Sequence, residues 1–407
     1  MRHADERRRP VRLPSPPGGV AVAAHHYAIF SAQYRPHAGG VETFTENLAT
    51  ELVATGQRAT VVTSRLDASP EHEVEPSGVG VFRLPCLSLM GGRLPLTTRT
   101  SEYRRLFSEL LDLDIDRVLV NARFYSHSLE GLRFAAEAGA PAVVLDHGSA
   151  WLTLGNPVAD VAVRAYEKHA TKKGLHFSPT YAGISRASAG WLRTFGIETD
   201  LVIPNSIDAP AYRALASARD FRAEFGVPEG ALLIAFVGRL TPEKGADILV
   251  DAARQLWEES PGSFCFILAG EGFLRSSLER DLPSCVRLLG NVERSDVSAL
   301  LSQADAFCLP TRSEGFCMAL LEAGAWGTYP IITRTGVVDE VLGGDSRLGC
   351  VLPDRSVTSV VRALRDLMST PRADREEASA LLRNRVESSW SWADSVRALD
   401  EAFSARA

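Results

Sequence analysis

Short apolar runs alternate with longer amphipathic stretches along most of the chain. In the first half, runs at 20–24, 59–63, 79–83, 118–120, 142–145, 181–184 and 201–203 predict strands. Between them, 41–55 carries Val41, Phe44, Leu48 and Leu52 at helical spacing and stops at Gly56. Stretches 129–138 and 159–171 predict helices as well. The pattern breaks after Ile203-Pro-Asn-Ser-Ile-Asp208, where a polar helix-like stretch, 212–225, runs into Gly226-Val-Pro228. It then restarts, with strands at 232–237, 264–269, 286–289, 306–309 and 331–333 and helices including 246–259 and 296–303. The last stretch, 376–403, predicts one long helix bearing Trp390 and Trp392. Alternation of this kind predicts parallel sheets covered by helices, an α/β fold.

The 407 residues exceed what a single core usually holds, so two domains are expected. The break near residue 210 places them at 20–210 and 211–380, with a disordered tail at 1–19 and a closing helix, 381–407, across the domain boundary. A net charge of −6 argues against a nucleic-acid binder. Only Lys168, Lys172, Lys173 and Lys244 stand among 44 basic residues, an arginine excess that fits a GC-rich bacterial genome. The six cysteines form no C-x-x-C pair and predict reduced, mostly buried thiols. No apolar run reaches the ~20 residues that cross a bilayer. The basic start (Arg7, Arg8, Arg9, Arg12) leads into prolines and glycines, not an apolar core, which excludes a secretory signal. A cytoplasmic protein is expected, with contact between that basic tail and an inner membrane face as the open alternative.

In open α/β sheets, ligands bind beyond the carboxyl ends of strands, so strand-to-loop junctions carry the candidate chemistry. Phe236-Val-Gly238-Arg239-Leu-Thr-Pro-Glu-Lys244-Gly245 is one. Gly238 admits a ligand close to the backbone, and Arg239 and Lys244 offer positive charge to phosphate oxygens. The stretch from Asp305 to Glu322 is the other. Its apolar run 306–309 closes at Pro310, then come Glu314, Gly315, Phe316 and Cys317, and a helix-like run carrying Glu322. If 315–322 is helical, the two carboxylates lie about 12 Å apart, too far for one metal and suited to two parts of a long ligand. A helix N-terminus between them suits phosphate.

Gly39-Gly40, before the 41–55 helix, let backbone N–H groups approach a phosphate. His147, after the 142–145 strand, suits a sugar hydroxyl or a departing phosphate, and Trp151 a sugar ring or plain packing. Ala269-Gly-Glu-Gly272 reads as a tight structural turn, with Glu271 capping a helix. Asp112, Asp114 and Asp116 stand before a strand, the wrong end for ligand binding, and read as a solvated turn. The P-loop, the G-x-S-x-G elbow and H-E-x-x-H do not occur, nor does G-x-G-x-x-G at the start of either half.

The ordered set GGVETFTENLATEL, DHGS, VIPNSID, FVGRLTPEKG, AGEG, LLGNV and E-x7-E resembles the retaining glycosyltransferases of family 4, over nearly the whole chain from Val20. The resemblance implies the GT-B fold, two Rossmann-like doubly wound domains facing a central cleft. It implies that Arg239 and Lys244 meet the donor diphosphate, Glu314 the donor sugar hydroxyls beside the N–H groups of Phe316 and Cys317, and Glu322 the ribose. Gly40 corresponds to the loop glycine near the distal phosphate and His147 to the histidine near the sugar. The chain departs from the family at Thr335-Gly336, where a double glycine is frequent, at Cys317, and at Asn205-Ser206. The resemblance thus implies a metal-independent, retaining hexosyltransferase without a cofactor. Its donor would be a nucleotide sugar, UDP before GDP, and its acceptor a bacterial glycan, a lipid-linked sugar or a small molecule. The alternatives are a GT-B epimerase or phosphorylase, or a non-catalytic nucleotide-sugar binder.

Overall fold

The computed structural model describes residues 24–37, 39–66, 69–89, 94–152 and 156–405. The expected tail at 1–19 lies outside these residues, as does 20–23 of the expected first strand.

Fourteen strands occur among the described residues: β1 (His26–Phe30), β2 (Arg58–Arg65), β3 (His72–Val74), β4 (Gly80–Leu89), β5 (Leu94–Thr97), β6 (Arg117–Asn121), β7 (Ala142–Asp146), β8 (Thr180–Gly183), β9 (Leu232–Val237), β10 (Phe264–Ala269), β11 (Val286–Gly290), β12 (Ala306–Leu309), β13 (Tyr329–Thr333) and β14 (Cys350–Leu352). They form two sheets. The first has the order β3-β4-β2-β1-β6-β7-β8, with β5 beside β4; the second has the order β11-β10-β9-β12-β13-β14. Every strand pairing in the second sheet is parallel. In the first, β3 and β5 run antiparallel to β4.

Contacts group the chain into two compact units: Met1–Leu145 with Val161–Thr180 and Phe403–Ala407, and Asp146–Asp160 with Tyr181–Ala402. In the first unit, Phe30, Phe44 and Phe134 are fully buried. The Phe30 and Phe134 rings meet at 5.5 Å. A Cβ at Gly131 would fall 2.7 Å from the Phe30 ring, so this glycine lets the helix Ser126–Ala138 lie close on the sheet. In the second, Phe236, Phe266 and Phe307 come from the three neighbouring strands β9, β10 and β12. Each such side chain stabilises its unit by about 1.5–3 kcal/mol.

Both sheets reverse direction once, and this positions the candidate loops. The chain lays β10 and β11 to one side of β9 and returns to put β12 and β13 on the other. The loops after β9 and β12 therefore leave a crevice at the switch point. The same reversal in the first sheet falls between β1 and β6, and its crevice is bounded by the loop that leads to Gly40.

Four expectations need correction. Residue 24 is not in a strand, and the first strand is His26–Phe30. The apolar run 201–203 makes only a one-residue bridge, Val202 with Gly183. The 212–225 stretch is two short helices, Ala209–Ala214 and Phe221–Glu224, each capped by an aspartate, Asp208 and Asp220. The long helix 376–403 is two, Arg372–Ser389 and Trp392–Ser404. Ser391 breaks it: its N–H and hydroxyl bond the Asp394 carboxylate at 3.0 and 2.6 Å, starting a new N-terminus.

Candidate active site

The switch-point crevice of the second unit is built backbone against backbone. A Cβ on Gly270 would sit 2.0 Å from the Gly238 carbonyl oxygen, and one on Gly272 would sit 2.3 Å from that of Leu240. The glycines after β10 thus press that turn against the loop after β9, the structural role expected of them. Glu271 caps nothing; it holds Arg275 at 2.5 Å on the next helix. The β9 loop ends at Gly245, with φ +77°, where a Cβ would lie 2.4 Å from the Pro310 carbonyl. Only glycine fits there, and it opens the helix Ala246–Glu259 beside the β12 loop. Arg355 ties the two loops, donating from Nε to the Pro310 carbonyl at 2.8 Å and from Nη2 to that of Pro242.

Lys244 and Glu314 meet across this seam. The ammonium donates to the Glu314 carboxylate at 2.5 Å, with side chains 17% and 10% exposed. The Glu314 carbonyl accepts the Ser149 hydroxyl at 2.5 Å, and the Gly315 carbonyl accepts that of Ser185 at 2.7 Å. A Cβ on Gly315 would lie 1.9 Å from the His147 carbonyl oxygen. His147 is half-buried, and burial pushes its imidazole down to about 3, so it is neutral at physiological pH.

Phe316 is buried against Trp390, ring centroids 5.8 Å apart. Cys317 has φ +89° and caps the helix Met318–Trp326. The expectation of a helix over 315–322 is therefore corrected: residues 315–317 turn first, and the helix starts at Met318. Burial, with Glu314 close by, pushes the Cys317 thiol well above its ordinary value. Glu322 lies one turn into this helix, 3.5 Å from the Arg294 guanidinium. Burial raises its carboxyl above the ordinary range, partly offset by Arg294.

Arg239 points elsewhere. Its side chain is 71% exposed and, among the described residues, pairs only with Glu243, at 3.8 Å. The second unit thus brings Lys244, Glu314, Phe316, Cys317 and the His147 peptide together, with Glu322 along the helix they open. Sequence reasoning did not find Arg294 or Arg355; no motif marks either, because their roles depend on loops far away in the chain. Trp151 packs edge-on against Trp191 and Phe195, each at 5.2 Å. Ser206 bonds Ser395 at 2.7 Å, so the turn after Asn205 holds the last helix. Asp116 binds the His26 N–H at 2.9 Å, the structural turn expected of that aspartate run.

In the first unit, Gly40 is the exposed first residue of the helix Gly40–Ala54. A Cβ there would touch nothing within 4 Å. Beside it lies a cavity of about 710 Å³ lined by Arg35, His37, Glu42, Glu46, Glu73, Glu75 and Arg83 among others. Arg35 is bound by Glu46 and Arg83 by Glu73. Burial raises the carboxyls of Glu42 and Glu75.

Two family models match in succession: Glycosyltransferase Family 4 over residues 38–209, and glycosyl transferases group 1 over 217–384. The mannosyltransferase of Mycolicibacterium smegmatis described as GDP-mannose-dependent alpha-(1-6)-phosphatidylinositol monomannoside mannosyltransferase is 28% identical over 92% of this chain and 97% of its own. The GDP-mannose-dependent alpha-(1-6)-phosphatidylinositol dimannoside mannosyltransferase of Mycobacterium tuberculosis is 26% identical, over 87% and 90%. Among solved structures, a Rickettsia africae glycosyltransferase superposes with a TM-score of 0.72 at 15% identity, covering 94% of this chain and 98% of that one. Anabaena HepE, in complex with UDP and glucose, gives 0.69 at 16% identity, covering 94% and 100%. No helix among the described residues is long and apolar enough to cross a membrane. With these matches laid over two parallel-sheet α/β domains, the chain belongs to the family 4 glycosyltransferases of the GT-B fold, enzymes that move a sugar from a nucleotide-sugar donor.

Proposed function

We propose that this enzyme is a retaining, metal-independent hexosyltransferase whose donor lies in the second unit's switch-point crevice. The observation that carries the reading is the ion pair between Lys244 and Glu314 beside two helix N-termini, those opened by Gly245 and Cys317. A donor diphosphate arriving there would draw Lys244 from the carboxylate, and Glu314 would then accept hydroxyls of the sugar. Arg239, exposed and loosely held, would swing onto the same phosphates. The N–H groups of Phe316 and Cys317 would complete the cradle, Gly238 would give the backbone room, and Glu322 would accept the ribose hydroxyls. In the first unit, Gly40 needs no side-chain space for the fold's sake, which supports its role as the point where a phosphate approaches the backbone.

Departure of the diphosphate puts negative charge on its terminal oxygens. Positive groups already drawn onto the bound diphosphate would stabilise that charge as it develops, the work a metal does elsewhere. Retention of configuration follows when the acceptor hydroxyl attacks the face that the diphosphate leaves, with a phosphate oxygen taking its proton. The neutral His147 would serve as a hydrogen-bond partner of the sugar and not as a cation.

The first-unit cavity supports a polyhydroxyl acceptor. Its arginines are occupied by Glu46 and Glu73, and Glu75 already accepts the Tyr34 hydroxyl at 3.2 Å, which leaves Glu42 to receive hydroxyl donors. For the base, UDP keeps first place because Anabaena HepE binds it; the mycobacterial relatives, which use GDP-mannose, support GDP as the second choice. The enzyme would work in the cytoplasm, at the inner membrane face when the acceptor is lipid-linked. Thermal stability against UDP-, GDP-, ADP- and TDP-sugars, with EDTA present, tests the donor reading. A single responder that is also turned over supports it. Binding without any sugar release or transfer would favour the non-catalytic binder and overturn catalysis.

A further inference from the structure

A second cavity, of about 600 Å³, opens at the opposite end of the second sheet's strands from the donor crevice. Leu232 and Tyr329, the first residues of β9 and β13, line it, with Asp305 just before β12. Across the six residues of β9 this is about 20 Å from Gly238, so the two sites do not overlap. One face of the helix Arg372–Ser389 forms the other wall, through Arg372, Arg375, Glu376, Ser379 and Arg383. These positions recur every three or four residues, which puts them on a single helical stripe.

The charges do not balance. Asp305 is consumed by Arg222 at 2.5 Å and by the Leu233 N–H at 2.9 Å. Arg222 spends its remaining donors on the carbonyls of Gln303 and Ala231. Arg375 reaches Asp305 only at 3.8 Å. Glu376 answers Arg372 at 2.8 Å, a pair so exposed that it holds little. Arg383 is half-buried and makes no ion pair or side-chain hydrogen bond among the described residues. Guanidinium groups do not shed their protons, so the cavity keeps a standing positive charge. Its volume falls in the range of small-molecule sites, and planar guanidinium forks match phosphate oxygens in pairs. Arg375 and Arg383 are about 12 Å apart along the helix, so a ligand that engages both needs more than one anionic group.

We propose that this cavity binds a small molecule bearing two or more phosphoryl groups, at a site separate from the donor crevice and held by Arg375 and Arg383. The cavity also touches the crevice's supporting helix. Met318–Trp326 begins at Cys317, carries Glu322 and ends at Gly327, where a Cβ would lie 2.3 Å from the Ser379 carbonyl on the arginine helix. A ligand on the stripe therefore bears on the far end of the helix that positions Glu322.

Inorganic tripolyphosphate, titrated calorimetrically into the whole protein at low salt, tests the site. The wild type should show two sites. Lys244→Ala should remove one, and Arg375→Gln with Arg383→Gln should weaken the other at least tenfold. Arg383→Gln alone, which breaks no bond in the structure, should already weaken it measurably. Arg397→Gln, which removes an exposed arginine outside the cavity lining, should change neither. The proposal is overturned if Lys244→Ala abolishes all binding, if the double variant binds as the wild type does, or if Arg397→Gln weakens binding as much.

Discussion

Lys244 donates to Glu314 at 2.5 Å although seventy positions separate them in the chain, and each stands in a loop that leaves a different parallel strand. Under the proposed reading the pair would be a latch on an anion site, neutralising the lysine until a diphosphate draws it away.

Lys244→Ala should lower transfer by on the order of 10²–10³, the usual consequence of losing one group aimed at developing charge. The fold should persist, because the loss on orphaning a largely covered carboxylate, about 3–5 kcal/mol, is below the stability of a typical domain. Steady-state turnover with a urea melt checks both halves. Turnover near the wild-type value would remove Lys244 from the diphosphate.

Glu322→Gln should weaken donor affinity while changing kcat less. It should also change the pH dependence of stability. Burial raises the Glu322 carboxyl, so the folded state holds its proton to higher pH than the unfolded state does. Stability contributed by this group therefore falls as pH rises from the unfolded carboxyl range through the raised folded one. The gain in Tm from Glu322→Gln over wild type should be larger at pH 7 than at pH 4.5. An equal gain at both would show that the carboxyl is not strained by burial.

Acid should destabilise the protein through its buried imidazoles. Burial pushes His26 and His127 down to about 4, and His147 to about 3. The unfolded chain takes up protons near 6.5 that the folded one refuses, so stability is full above that pH and declines as pH falls toward 4. His127→Gln should flatten part of this slope in urea melts between pH 7 and pH 5. For turnover, a His147 already neutral predicts that His147→Ala lowers the rate without moving any inflection near 6.5.

Cys317→Val should destabilise by about 1–3 kcal/mol, because a β-branched residue resists the left-handed backbone at φ +89°. Cys317→Gly should cost less, since it relieves the backbone while losing only a small buried side chain. The native thiol should react slowly with iodoacetamide, because burial raises its pKa. Rapid labelling of the folded protein would contradict its placement.

The long apolar runs of the second half are legible to within a residue or two; β9, β10 and β12 begin and end where the sequence suggests. Hydrophobicity on both faces leaves such buried strands little choice. The first strand escapes the pattern because it starts with His26, which is buried only by virtue of partners: its ring bonds the Leu113 carbonyl and the Thr60 hydroxyl, each at 2.8 Å. Those partners lie 87 and 34 positions away, beyond any local pattern. Edge strands β3, β5 and β14 escape it for a different reason: they lack the unbroken four-residue apolar run that marks the equally short β12. The motifs around Lys244 and Glu314 are legible because they end strands. Their contacts are not, since Ser149, Ser185 and Arg355 reach them through carbonyl groups that any residue supplies.

At Gly315 the contact is backbone on both sides. With its α-carbon pressed against the peptide of His147, the stretch before Cys317 and the stretch after β7 form one mechanical piece, welded at a point where no side chain intervenes. Position 315 is thus closed to variation in a way that the charged residues around it are not: Glu314 could be exchanged at the expense of function, whereas alanine at 315 would force the histidine loop away. Side-chain changes that retune this site would have to be made around the weld and not through it.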